Sequence, residues 1–412
     1  MNFISLKTDN MKTTSSIPTR RLALVALALL GLTARHLAAA AFSSGSDGSY
    51  GPMNITQNTT LSVPSNGVFN CTTITIGCAV NLSFAPNALN TPVYLLATGD
   101  VYIYGYIYLD AGGGNVAQGG GGGPGGFPGG MGGIAGGHTT AGDGAGPGGG
   151  KDASGWFGGV FAYPQNANTN VYGNALLYPL VGGSGGSGKD AAAGGNGGGG
   201  GGGAILIASS TRIMFSTQCY PGTEGVYARG GAGTGNLGGG GSGGAIRLVA
   251  PTVGTINGTG YLDTSGGLGG QVCCYTYPDT GSQGRIRIDC TDDYSYRALI
   301  YRGSFTRGSQ MWVFQPNTPE LDIISAAGQS IPVGATNSVY VSLPAGSPTN
   351  QLVTLSAANF TNSIPIRISV TPDTGPSVAF DGVIPNTGNP STNSFNVNIP
   401  AGAVSRIDAW TR

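Results

Sequence analysis

The sequence predicts an all-β chain: a parallel β-helix-like β-solenoid with glycine-rich, polyproline-II-like excursions, followed by a C-terminal immunoglobulin-like β-sandwich. Three observations predict it. Short segments alternating apolar and polar residues recur, among them "CTTITI", "VNLSF" and "VYIYGYIYLD"; a period of two marks half-buried strands. Three further segments follow one another at fixed spacing, each reached from glycine: "GGGAILIAS" from Gly201, "GSGGAIRLVA" from Gly241 and "GSQGRIRIDC" from Gly281. Gly203, Gly244 and Gly284 hold the equivalent place, 41 and 40 residues apart, and such repeats indicate stacked units sharing one core. After about Pro316 glycine thins, and seven strand-like segments run from "LDIISAAG" to "SRIDAW".

Residues 1–41 read as a signal peptide. Arg20 and Arg21 precede an apolar run from Leu22 to Leu32, and Ala39, Ala40 and Ala41 supply the small-residue end, the order of an export signal. The run is too short for a confident span, so no stable membrane span is expected after signal removal. Residues 42–111 are expected to hold the first solenoid rungs. Residues 112–203 form a glycine-rich insertion containing "GGGGGPGGFPGGMGGIAGG". Its local G-G-x pattern has the three-residue period of polyproline II. Two glycine faces would let neighbours approach closely, with Phe127, Met131 and Ile134 on the third. The insertion ends in seven glycines, Gly197 to Gly203, that run straight into Ala204-Ile205-Leu206-Ile207. Residues 204–315 carry the solenoid repeats, each a strand, turn, strand and glycine-rich loop. Residues 316–412 make the sandwich; the Cys-Trp hallmark of antibody domains is missing, so only the architecture is expected.

Composition narrows the function classes. The 412 residues include 78 glycines, 18 basic and 18 acidic residues, and the formal net charge is zero. Without a basic patch, nucleic acid and anionic membranes are poor partners. Charged residues are only 9% of the chain while 40% are hydrophobic, unlike a disordered polyelectrolyte.

Cys71, Cys78, Cys219, Cys273, Cys274 and Cys290 are disulfide candidates in an exported chain. Cys219 and Cys290 are expected to pair with Cys273 and Cys274, because those four flank neighbouring repeats. No C-x-x-C occurs and only His138 survives signal removal, so neither a metal nor a cofactor is expected. No Ser-His-Asp set can be assembled. Asp289, Asp292 and Asp293, with Arg285, Arg287 and Arg297 nearby, read as a salt-bridged final repeat rather than a polysaccharide-cleaving pair, and the protein is not expected to be an enzyme. An aromatic island between glycine tracts holds Trp156, Phe157, Phe161, Tyr163, Tyr172 and Tyr178. Its first reading is a hydrophobic cover for a sheet. Its second is a sugar-stacking platform, with Trp156, Phe157, Tyr163 and Tyr172 as ligand-binding candidates and Asn166, Asn168 and Asn170 as polar partners.

The phrases "GSDGSYGPMNIT" and "NALNTPVYLLATGDV" and the tract "GGGGGPGGFPGG" resemble a group of uncharacterised, exported, glycine-rich bacterial proteins. The resemblance covers most of the mature chain and implies secretion or surface display. It carries over no catalytic residue. The expected function is therefore an exported structural or adhesive protein of a cell surface or extracellular matrix, with copies of itself and glycans as candidate partners. The alternative is a carbohydrate-binding or polysaccharide-degrading β-helix protein.

Overall fold

The alternating segments of the N-terminal region form seven strands: β1 (Gly51–Ile55), β2 (Thr59–Ser62), β3 (Val68–Ile76), β4 (Asn81–Ala85), β5 (Val93–Ala97), β6 (Val101–Ile103) and β7 (Tyr106–Tyr108). The repeated segments become β8 (Ala204–Ser209), β9 (Arg212–Ser216), β10 (Gly225–Tyr227), β11 (Ala245–Val249), β12 (Thr252–Asn257), β13 (Gly260–Asp263), β14 (Arg285–Asp289), β15 (Leu299–Arg302) and β16 (Ser304–Gly308). These come from a computed structural model. It describes residues 42–412 except 117, 134–140, 152–157, 165–167, 190–194, 217–222, 236–237, 271–278, 293–294, 316, 334–338, 345 and 373–376. The expected signal segment lies outside the described residues, as do His138, Trp156, Phe157, Asn166, Cys219, Cys273, Cys274 and Asp293.

The solenoid expectation is corrected by the sheet topology. One sheet has ten strands in the order β12-β9-β6-β3-β5-β8-β11-β14-β16, with β1 added on β3; a second has six, β15-β13-β10-β7-β4-β2. All pairings within them are parallel. The nine-residue β3 pairs with both β5 and β6, which merges what would be separate rung faces into one continuous curved sheet. The arrangement resembles the parallel sheets of α/β proteins rather than a solenoid. The repeat does place equivalent strands side by side: Ala204, Ala245 and Arg285 are in register, as are Ile205, Ile246 and Ile286. A repeat period specifies this adjacency; it does not specify how the sheets close.

Parallel neighbours cannot be joined by tight turns and need a long crossover, usually an α-helix. Here the crossovers are glycine. The chain leaves β7, β10 and β13 of the second sheet and returns into β8, β11 and β14 of the first through these tracts. Each tract is hydrogen-bonded to its neighbours with a three-residue period. Gly197, Gly200 and Gly203 donate to the carbonyls of Asn115, Gly112 and Leu109 at 2.8, 3.0 and 2.8 Å. Gly198 and Gly201 donate to Gly130 and Phe127, and Gly199 and Gly202 to Gly239 and Ser242. Partner numbers thus step by three along each neighbour, falling in two and rising in the third. The seven carbonyls of this run accept in turn from Thr234, Gly120, Gly186, Gly231, Gly123, Gly183 and Ala245. The run is buried and leaves no backbone polar group unpaired, as burial requires.

Glycine is dictated by this proximity. A Cβ on Gly199 would overlap the carbonyl of Gly231, and one on Gly201 the carbonyl of Gly183. The glycine Cα–H therefore points at a neighbour's oxygen, a weak contact that repeats along the bundle.

One core receives side chains from both sheets, including Ile74, Leu82, Ile103, Ile107, Ile205, Val226, Ile246, Leu262 and Ile286. The outer face of the first sheet is covered as well: Leu96, Leu206, Ala245 and Val249 pack beneath Phe161, Leu177, Leu180 and Val313. Burial on both faces explains why all six residues of β8 are buried, the near-continuous apolar run typical of parallel strands. The aromatic island is thus largely a cover. Under it, Arg247 is 1% exposed. Its Nη2 lies 3.0 Å from Asp289 Oδ2, and Arg287 Nη2 lies 2.7 Å from Asp289 Oδ1. Arg247 also donates to the carbonyls of Gln310 and Trp312 at 3.2 and 3.1 Å, and the Trp312 ring sits 4.0 Å from its guanidinium. Burial pulls the Arg247 guanidinium below its usual range, and the Asp289 carboxylate opposes that shift.

The C-terminal region holds β17 (Glu320–Ala326), β18 (Gln329–Ser330), β19 (Asn350–Ala358), β20 (Ile364–Pro372), β21 (Val378–Ile384), β22 (Ser391–Asn398) and β23 (Ser405–Thr411). They form two antiparallel sheets, β18-β17-β19-β22 and β21-β20-β23, around Val353, Leu355, Ile366, Ile368, Val370 and Val397. The sandwich is present, but the immunoglobulin label is corrected. That fold puts its first, second, fourth and fifth strands in one sheet; here the first, second, third and sixth share one. The segment "SVYVSLPAG" forms no strand among its described residues, and Tyr340 within it is 89% exposed. Phe127 of the glycine region meets Trp410 of the sandwich at 5.6 Å between ring centroids, and residues 42–412 form one compact unit.

Cys71 and Cys290 are buried thiols, so the pairing expected for Cys290 is corrected. Its Sγ lies in the core at the end of β14 and donates to the Asp292 carbonyl at 3.0 Å. Burial pushes the Cys71 thiol up to about 11. Cys78 is disulfide-bonded.

Two stability outcomes follow. Gly199→Ala lowers stability in denaturant unfolding by about 1–3 kcal/mol or more, the cost of overpacking, whereas Gly121→Ala, with open space at its Cβ position, is neutral or slightly stabilising. Asp289→Asn leaves two buried guanidiniums without their counter-charge and costs about 3–5 kcal/mol; a loss below about 1 kcal/mol would contradict the buried-triad account.

Candidate functional site

The second sheet presents its outer face differently. Along β7 and β10 the residues Ile107 and Val226 point into the core, which turns their neighbours outward. The register makes two outward rows. One runs Tyr106, Gly225, Tyr261 and the other Tyr108, Tyr227, Asp263, Arg302. Gly225 contributes no side chain between Tyr106 and Tyr261, and a Cβ there would meet the Tyr261 backbone. The gap opens a surface cavity of about 290 Å³ lined by Tyr106, Tyr108, Thr223, Tyr227, Arg229, Tyr261, Asp263 and Arg302.

The rings are held in fixed positions. Tyr106 and Tyr108 stack with centroids 5.8 Å apart and planes within 9°, and Tyr108 lies 5.2 Å from Tyr227. The Arg229 guanidinium sits 4.9 Å from the Tyr227 ring and 5.9 Å from Tyr108. It is clamped by Asp110, whose Oδ2 accepts from Nε at 3.0 Å and from Nη2 at 2.5 Å. Arg302 lies 5.8 Å over the Tyr261 ring and 3.9 Å from the Asp263 carboxylate. Asp263 is almost fully buried and accepts from the Ser265 amide at 2.9 Å. Tyr227 donates to the Thr223 carbonyl, and the Tyr106 hydroxyl lies 3.2 Å from Thr223 Oγ1.

Two phenols and one guanidinium on this face are shifted further from neutrality. Burial raises the Tyr108 and Tyr227 phenols above their ordinary value, and the hydrogen bond to Asp110 raises Arg229. The surface therefore offers neutral phenols, charged guanidinium donors and carboxylate acceptors, set among apolar ring surfaces. That combination suits binding of polyhydroxylated molecules.

The residues expected from the sequence fall elsewhere. Trp156 and Phe157 lie outside the described residues. Tyr163 is half exposed beside a groove lined by Ser265, Gly266, Thr280, Gly281, Ser282 and Gln283. Tyr172 instead stacks on Phe161 at 4.6 Å and donates to the Gly182 carbonyl at 2.6 Å, so it belongs to the cover. Asn168 is buried and spends its Nδ2 on the carbonyls of Gly148, Gly149 and Gly158. Asp289 is the buried centre between Arg247 and Arg287, and Asp292 accepts from Ser295. Among the described residues no group of three or more His, Cys, Asp or Glu side chains could hold a metal ion, and no helix is long and apolar enough to cross a membrane.

The tyrosine face went unread as a site, although its signal is in the sequence. "VYIYGYIYLD" supplies β6 and β7, and tyrosine takes every second position from Tyr102 to Tyr108. A solvated strand face ordinarily alternates with Thr, Ser or charge, and four aromatic residues there are a departure. Comparison with known protein families, curated proteins and solved structures finds no match to this chain.

Proposed function

We propose that the protein is an exported adhesive protein that recognises a glycan through the tyrosine face of its second sheet. The observation that carries this reading is the set of outward tyrosines around the Gly225 gap: Tyr108, Tyr227 and Tyr261 each lie against an arginine that is itself paired with an aspartate, and Tyr106 stacks on Tyr108. A surface ordered before the ligand arrives loses little entropy on binding. Tyrosine supplies apolar area to the C–H faces of a sugar and a hydroxyl to its oxygens. Export rests on the charged, apolar, small-residue order of residues 1–41.

Binding rather than turnover is favoured by the carboxylates. A glycosidase needs one carboxyl kept protonated as a general acid. Asp110 and Asp263 are each occupied by an arginine, and neither is free to meet a leaving group.

Tyr108→Ala combined with Tyr227→Ala is expected to weaken retention on a glycan array at least about tenfold; because Tyr227 is buried, thermal unfolding checks that the variant remains folded. Binding is expected to be flat from about pH 6 to 9, because a phenol ordinarily titrates above that window and burial raises both of these further from it. Unchanged retention by the double variant would remove the tyrosine face from the account. Self-assembly into fibres, with no sugar retained, would favour a structural role instead.

A further inference from the structure

The tyrosine face does not end at β7. The sequence reads Asp100, Tyr102, Tyr104, Tyr106, Tyr108, Asp110 at alternate positions, a mirror image about Gly105. The structure repeats the mirror. Tyr102 on β6 and Tyr104 just after it stack with centroids 5.8 Å apart and planes within 6°, matching the 5.8 Å and 9° of Tyr106 and Tyr108 on β7. Arg212 of β9 donates to Asp100 Oδ2 from Nε and Nη2 at 2.9 and 2.7 Å, as Arg229 does to Asp110. Its guanidinium lies 5.7 Å from the Tyr102 ring, against 5.9 Å for Arg229 and Tyr108. Tyr102 donates to Asp100 at 2.9 Å and Thr211 to the other carboxylate oxygen at 2.6 Å. Gly105 makes the join, because any side chain there would overlap the carbonyls of Gly77 and Val80. The first sheet thus hands the row of tyrosines to the second around a single glycine corner.

Resting on the glycan reading above, we infer that these two tyrosine pairs, joined in the chain at the Gly105 corner, are the halves of one binding rail and that its ligand is a linear, uncharged polysaccharide chain spanning both halves. Two observations carry the inference. The duplicated geometry gives four rings in succession, which a monosaccharide or disaccharide would leave mostly uncovered. The charges are matched locally: Arg212 with Asp100, Arg229 with Asp110, Arg302 with Asp263. A polyanionic chain would have to displace a carboxylate from each arginine and would meet that carboxylate's repulsion. A neutral chain accepts from the guanidiniums and donates to the carboxylates while the pairs stay intact.

The test uses the mature full-length chain and immobilised ladders of cello-, manno- and xylo-oligosaccharides from dimer to octamer, with oligogalacturonates of the same lengths. Affinity is expected to climb with length on at least one neutral ladder and to be weaker on the charged one. Tyr102→Ala with Tyr104→Ala is expected to lower octamer affinity about tenfold, with a loss that grows with chain length and is smallest for the dimer. Tyr108→Ala with Tyr227→Ala is expected to weaken every length. Thermal unfolding of each variant checks that it is folded, and the milder Tyr102→Phe with Tyr104→Phe serves if the alanine pair is not. An octamer bound no tighter than the dimer, or indifference to the Tyr102 and Tyr104 changes, overturns the rail while leaving the cavity a glycan site. Tighter binding of oligogalacturonate overturns the uncharged ligand. Failure of all four ladders overturns the glycan reading itself.

Discussion

Everything in this structure depends on satisfying backbone hydrogen bonds inside a bundle that has almost no side chains. Ordering glycine is costly, about 1–2 kcal/mol of backbone entropy per residue, and more for glycine than for other types. A hydrogen bond returns a net of about 0.5–1.5 kcal/mol. The run Gly197–Gly203 engages all seven of its amides and all seven of its carbonyls, and still that gain does no more than offset the ordering cost. The bundle holds because its ends are fixed: each tract begins at a strand of the second sheet and ends at a strand of the first, and loop-closure entropy rises only slowly with length once the ends are set. The sheets in turn need the bundle, since parallel strands require crossovers and these are the crossovers available.

Function inherits this rigidity. The tyrosine row sits on β6 and β7, whose inward residues Val101, Ile103 and Ile107 are locked in the main core, and β10 and β13 are tied to the bundle by the tracts that leave them. Charged residues are few, only 9% of the chain. Ion pairs at exposed positions contribute little to stability. Their repeated placement beside tyrosine rings, at Asp100 and Asp110, fits the proposed binding surface by orienting it.

Much of the fold was legible. Period-two segments marked the strands, and the spacing of Gly203, Gly244 and Gly284 marked which strands lie side by side. The solenoid did not follow, because adjacency within a repeat is silent about β3, whose length lets it join two faces into one sheet. The sandwich was legible as a set of short strands, but strand order is a tertiary property, and "SVYVSLPAG" shows that alternation alone does not make a strand without a partner. At the site, the aromatic island drew attention through its contrast with glycine, yet Phe161 and Tyr172 are consumed in covering the first sheet. The four tyrosines of "VYIYGYIYLD" do not mark a site by sequence alone, because tyrosine is also an ordinary strand former; only the register with Tyr227, Tyr261 and Arg229 sets the candidate site apart from an ordinary sheet face.

The central claim is that the glycine tracts are structural members equal in stability to the sheets. Native-state hydrogen exchange of the Gly197–Gly203 amides tests it most directly. The account predicts protection as strong as that of Ile205 and Ile246, with both groups opening only in global unfolding. Glycine amides exchanging at unprotected rates while the sheet amides remain protected would contradict it.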